Sequence, residues 1–183
     1  MKRRDPRKLL ASAALAFVLF LALALTGLLV PPSARVALGA STTLTIIGGE
    51  VLVRSGSGDF APGADGMILS AGDTIRTADG GRAVLTYFDG SMVTVEPSTV
   101  LVIVEASANA DGSTSIIMSQ GAGHTWHVVT KLLNSGSRYE VRTSAATAAV
   151  RGTQFDVLDE AGVTTHTTFE GAIATSDPQG TVE

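Results

Sequence analysis

Cysteine is absent from all 183 residues. That excludes disulfide frameworks, thiolate zinc sites, thiol nucleophiles and lipid-bearing cysteines. Aromatic residues are scarce, with one Trp and two Tyr. Charged side chains make up only 16% of the chain. With 13 bases against 17 acids, nucleic acid is not expected as a partner. After residue 40 no helical periodicity stands out. No glycine-rich stretch follows a strand and opens a helix, so a phosphate cradle is unsupported.

The charge that is present is unevenly placed. Lys2, Arg3, Arg4, Arg7 and Lys8 against Asp5 make the first eight residues +4, and 8 bases against 16 acids make the remainder −8. Residues 9–30 follow the basic cap without a single charge. As a helix this run would reach roughly 33 Å, enough for a hydrocarbon core of about 30 Å. Pro31 and Pro32 stop it. The reading is a basic cytoplasmic cap over 1–8, a transmembrane helix over 9–30, a linker over 31–42 and a β domain over 43–183. An uncleaved anchor is favoured over a signal cleaved after Ala37-Leu38-Gly39, because the apolar run is long for a signal peptide. The positive-inside tendency keeps the N-terminus in the cytoplasm and exports the β domain, to the periplasm or the cell exterior.

The exported part reads as short strands parted by turns. Residues 43–47, 50–54, 83–88, 92–96, 100–105, 115–119, 126–130, 139–143, 154–158 and 164–169 are rich in Val, Ile, Thr and Leu. Asp-Gly pairs at 89–90 and 111–112 and Asn-Ser-Gly at 134–136 are turn signals. Glycines recur nine or ten residues apart at 72, 81 and 90 and at 152, 162, 171 and 180. That spacing indicates an all-β domain, either solenoid-like (β-helix-like) or a sandwich. Residues 100–104 are apolar throughout, which predicts a strand buried on both faces.

Within this frame the sequence carries Gly-Asp-Thr-Ile-Arg-Thr at 72–77 and a run ending in Tyr-Phe-Asp-Gly-Ser at 91. Gly-x-x-Trp-x-x-Val follows at 123–129, then Ala-Ala-Val-Arg-Gly-Thr-Gln-Phe-Asp-Val at 148–157 and Phe-Glu-Gly at 169–171. In order and spacing, from 48 to 175, these resemble the FecR domain family, named for regulators of iron-dicitrate uptake. The resemblance marks Gly72, Asp73, Asp89, Gly90, Ser91, Trp126, Arg151, Gly152, Thr153, Phe155, Glu170 and Gly171 as motif positions with structural roles. It implies a β-rich, solenoid-like domain outside the inner membrane that takes part in transmembrane signalling or envelope sensing. Founding members carry a longer cytoplasmic segment that contacts a sigma factor. Eight residues before the apolar run leave no room for one, so direct sigma-factor contact is not expected. Family sequences also continue past the Glu-Gly strand, whereas this chain stops at Thr-Val-Glu as a further strand begins, which would leave an open sheet edge.

No candidate site reads as catalytic. Asp89-Gly90-Ser91 lacks a nucleophile-elbow context and reads as a turn. His124 and His127, three apart, face opposite sides of a strand, which makes them surface imidazoles flanking a packed Trp126 rather than a metal pair. Arg151 stands among small apolar residues and is expected to bridge internally, to Glu170 or to backbone carbonyls, or else to present its charge to a partner. Gly152 is expected at a tight bend or a close backbone approach. Trp126, Tyr87 and Tyr139 are expected in the core, with an exposed stacking platform as the other reading. Asp59, Asp65 and Asp73 read as solvated turn acids. No cofactor, metal or enzymatic activity is expected. The favoured function is a membrane-anchored, non-catalytic sensor or adaptor that binds an envelope or membrane protein in signal transduction. The alternative is a structural or cell-wall/polysaccharide-binding surface module.

Overall fold

The computed structural model describes residues 40–177 and the backbone of 180–182. The cap, the apolar run at 9–30 and most of the linker lie outside the described residues. Among the described residues no helix is long and apolar enough to cross a membrane. They form strands and turns only, arranged in two sheets.

The first sheet holds β1 (Thr42–Gly48), β4 (Ile68–Leu69), β6 (Arg82–Thr86), β7 (Met92–Val95), β10 (Gly123–Val128), β13 (Gln154–Glu160) and β14 (Val163–Glu170). The second holds β2 (Val51–Arg54), β3 (Ala61–Pro62), β5 (Thr74–Thr77), β8 (Val100–Ala108) and β9 (Thr114–Gln120). It continues with β11 (Arg138–Arg142), β12 (Thr147–Val150), β15 (Ile173–Asp177) and β16 (Gly180–Val182). Across the first sheet the order is β14-β13-β10-β7-β6-β1-β4, and across the second β16-β15-β12-β11-β9-β8-β5-β2-β3. From β5 and β6 onward each sheet therefore grows in chain order, as a solenoid does.

Direction follows from how the chain crosses between sheets. A hairpin sent across to the other sheet reverses the chain an extra time, so the strands before and after it pair antiparallel. Between β9 and β11 only the single strand β10 crosses over. Those two are accordingly the one parallel pair among the described strands, Arg138 lying opposite Ser115 and Arg142 opposite Ser119. A single-strand crossover is one coil of a solenoid, whereas hairpin crossovers build a sandwich. The fold combines both, and neither sheet closes into a barrel.

The core lies between the sheets. Alternation supplies it: Ala83 and Leu85 from β6, Val93 and Val95 from β7, Leu101 and Ile103 from β8, Phe155 and Val157 from β13 are all fully buried. The expectation for 100–104 is corrected. Val100 and Val102 are half-buried on the outer face and Val104 is 44% exposed, just where the register with β9 shifts between Ile103 and Glu105. Valine suits a strand on its solvent face too, so an unbroken apolar run does not establish two-sided burial. Ile117, on the outer face of β9, is nevertheless 3% exposed. It lies opposite Glu105 on one side and Glu140 on the other. Glu140 accepts from both Arg138 and Arg142, so an ion-pair plate flanks this isoleucine.

Phe155 carries the largest apolar side chain buried in the C-terminal half and stacks on the His127 ring with centroids 4.6 Å apart. Phe155→Ala is expected to lower unfolding stability by about 3–5 kcal/mol, measured by urea denaturation.

Candidate functional site

One rim of the domain gathers most of the motif positions around the loop 129–137, which leads from β10 in the first sheet to β11 in the second. It starts from two Asp-Gly-Ser turns. Between β6 and β7 the Asp89 carboxylate accepts from the Ser91 amide through Oδ1 and from the Ser91 hydroxyl through Oδ2, both at 2.9 Å. Gly90 takes φ +84°, which a side chain would strain. Ser91, buried, then accepts the Thr130 amide on its Oγ at 3.0 Å. Between β8 and β9, Asp111 accepts from the amide and the hydroxyl of Ser113 in the same way. Those bonds from Ser113 hold the Asp111 carboxyl below the usual carboxylate range.

The loop is tied from four further places. Its Val129 amide donates to the Thr153 carbonyl at 3.0 Å. The Arg151 guanidinium donates to the carbonyls of Asn134 at 2.9 Å and Ser135 at 3.3 Å. Asn134 Nδ2 donates to the Asp111 carbonyl, and the Thr114 amide donates to Ser137 Oγ, each at 3.0 Å. Gly152, at φ +103°, backs onto the loop so closely that a Cβ there would lie 2.7 Å from Lys131 Cα. Both reasons expected for this glycine, bend and close approach, therefore operate at once. Gly171 supports Thr153 in turn, a Cβ there meeting Thr153 Oγ1 at 2.9 Å. Held in this way, the loop packs Leu132 against the core and leaves Leu133 87% exposed. Open depressions of about 230 and 250 Å³ flank it, one lined by Lys131, Gly152, Thr153 and Glu170, the other by Asp89, Gly112 and Leu133.

Gly72, Asp73 and Trp126 lie elsewhere. Asp73, expected as a solvated turn acid, is instead buried, because its carboxylate accepts the Ser70 amide at 2.9 Å, and the amide of Gly72 donates to the Ile103 carbonyl. Trp126 is half-buried on the outer face of the first sheet, its ring 4.5 Å from that of the exposed Phe169. Glu170 pairs with Gln154 Nε2 at 3.2 Å, not with Arg151. Arg151 is exposed and reaches backbone carbonyls, one of the two internal partners considered for it.

The histidine reading needs correction. The two do face opposite sides of β10, but only His124 is at the surface, 3.2 Å from Asp156 Oδ2. His127 is fully buried and Trp126 is the outward residue, because the inner face of β10 carries Thr125 and His127. Tyr87 and Tyr139 are buried, as expected for core aromatics. Their burial pushes both phenols well above their ordinary range.

Polar side chains join the sheets here. Gln120 Nε2 donates to the carbonyls of Gly123 and Val157, which orients its amide and leaves Oε1 to accept the Thr125 hydroxyl. Thr125 has given up its only proton, so His127 Nε2 must donate to Thr125 Oγ1, at 2.7 Å. His127 Nδ1 is then left to accept the Tyr139 hydroxyl at 3.0 Å. Nothing in the sequence pointed to this chain, because alternation alone marks a position as inward without saying what it meets. Among the described residues no cluster of three His, Asp or Glu is placed to hold a metal.

The site is thus a rim loop bound by the turns and strand ends of a two-sheet β domain. The sequence profile of the FecR protein family matches residues 73–174, more than half of the chain, and the chain belongs to that family. Two crystal structures of a candidate anti-sigma factor from Parabacteroides distasonis ATCC 8503, at 2.50 and 1.65 Å resolution, share the fold. Each is 20% identical with a TM-score of 0.50, over 60% of this chain and 49% of the other. The chain thus spans about half the length of that protein. No curated protein matches it.

Gly152→Ala combines a disfavoured φ with a backbone clash and is expected to lower stability by about 1–3 kcal/mol. Ser91→Ala leaves the Thr130 amide without its acceptor and is expected to cost about 1–3 kcal/mol. Urea unfolding checks both, and a change below a few tenths for either would mean that the loop is not clamped as described.

Proposed function

We propose that this chain is a non-catalytic regulatory domain of the FecR type in signal transduction. In this reading it is held at the cytoplasmic membrane by residues 9–30, N-terminus inside. It binds an envelope or membrane protein through the rim loop 129–137. The observation that carries the reading is Leu133. A leucine 87% exposed on a loop fastened by hydrogen bonds from several elements costs little entropy to bury against a partner. Motif positions Ser91, Arg151, Gly152 and Thr153 all serve that fastening. Family membership supports the regulatory class, and the description of the Parabacteroides protein as a candidate anti-sigma factor agrees with it.

A second reading, cell-wall or polysaccharide binding, is favoured by one feature, the outward pair of Trp126 and exposed Phe169.

Full-length protein, crosslinked in cells and purified from membranes, distinguishes the two. Leu133→Asp is expected to leave stability within about 0.5 kcal/mol and to cut recovery of the bound partner about tenfold or more. Trp126→Ala should leave that recovery unchanged. Sedimentation with isolated cell wall that depends on Trp126 and not on Leu133 would decide for the second reading.

A further inference from the structure

The hydrogen bond between His127 and Tyr139 joins the last inward residue before the loop 129–137 to the first inward residue after it, across the two sheets. We propose that His127 is a proton-operated latch on this loop: a second proton on its imidazole breaks the bond to Tyr139, parts the sheets at the stem of the loop and frees the loop.

The donor sequence explains why one proton suffices. Tyr139 donates to His127, His127 to Thr125, Thr125 to Gln120, and Gln120 to two backbone carbonyls. Every proton in this chain runs the same way. A proton added at Nδ1 faces the Tyr139 hydroxyl proton head-on. Tyr139 would have to turn its hydrogen elsewhere in a fully buried site, and its hydroxyl has no other hydrogen bond among the described residues to take over.

The surroundings offer the cation no counter-ion. β7 places Val93 opposite His127 and β13 places Phe155 there. β11 contributes the Tyr139 phenol, and Tyr87 with Asp89 act on that phenol from the turn after β6. β14 contributes His166 and β10 itself His124, and both act against a charge on His127. On β13, Asp156 is turned to the outer face, where it holds His124, and the inward Asp159 lies opposite Gly123, at the other end of β10 from His127, where it accepts the Thr164 hydroxyl. Stacking on Phe155 gives an imidazolium some cation–π attraction, small beside the loss of its hydration.

Burial, with repulsion from His124 and His166, pushes the His127 imidazole down from 6.5 to about 3. The sign follows. A closed form that binds the proton more weakly than the open form is fully favoured above pH 6.5 and loses ground as pH falls toward 3. The open-to-closed ratio rises roughly tenfold per pH unit in that window, and about 100-fold between pH 7.5 and 4.5.

The test is hydrogen exchange by mass spectrometry on the full-length chain at pH 7.5 and 4.5, with rates corrected for the intrinsic pH dependence of exchange. Protection across 128–137 should fall by about 100-fold at pH 4.5 while 82–95, in β6 and β7, keeps its own. His127→Gln should remove the pH dependence. If that variant does not fold, Tyr139→Phe serves in its place, with loop protection already low at pH 7.5 and β6–β7 unchanged. Loop protection that stays constant, or that falls only together with β6–β7, overturns the latch. The effect on a partner rests on the loop being the docking surface. Loop opening at pH 4.5 with partner recovery undiminished would sink that reading and leave the latch standing.

Discussion

Every other feature depends on the two sheets sharing one layer of buried side chains while both remain open. An open sheet has no closing hydrogen bonds to hold its shape. Its curvature and its distance from the other sheet are set by what fills the space between them. Toward the N-terminal end that filling is aliphatic, with Leu44, Leu69, Ile75, Leu85, Leu101 and Ile103 fully or almost fully buried. Such packing is non-directional and tolerates small sliding movements. Toward the C-terminal end hydrogen-bonded side chains join the filling, beside Val141, Val150, Phe155 and Val157. Gln120, Thr125, His127 and Tyr139 form one cross-sheet chain, and Thr143 with Thr164 and His166 with Thr175 form two more links.

Polar links of this kind have a direction and a single good geometry. They therefore define how the sheets meet near the loop 129–137 more tightly than leucines would. The same property makes them sensitive. Within a low-dielectric core a satisfied hydrogen-bond chain is rigid, and one misplaced proton leaves a group unpaired at high cost.

The motif positions acquire a common physical meaning in this arrangement. Ser91 links a hairpin of the first sheet to the loop, and Thr153 receives the first amide of the loop. Arg151 caps two loop carbonyls, and Gly152 permits the approach of Lys131. They are distant in sequence, yet each acts on the same short segment. Backbone donors and acceptors of the loop are thereby brought to fixed partners.

Alternation of apolar and polar residues with turns every nine or ten residues established the all-β class and ten of the sixteen described strands, because strand formation on a half-buried surface depends on that local pattern. The strands that escaped this reading are β3, β4, β5, β12, β15 and β16, none longer than five residues: β3 and β4 have two each, and β12 reads Thr-Ala-Ala-Val. Their partners, not their own propensity, make them strands. Gly152 and the Asp89-Gly90-Ser91 turn were legible because positive φ and side-chain-to-amide bonds are local demands. The inward face of His127, the outward face of Trp126 and the second Asp-Gly-Ser turn's part in holding the loop were decided by tertiary structure alone. Alternation says that residues 126 and 127 differ in face, but which of the two faces inward depends on the register of β10 against β7 and β13. The partner that satisfies a buried polar group comes from the other sheet, at a distance along the chain that no local pattern records.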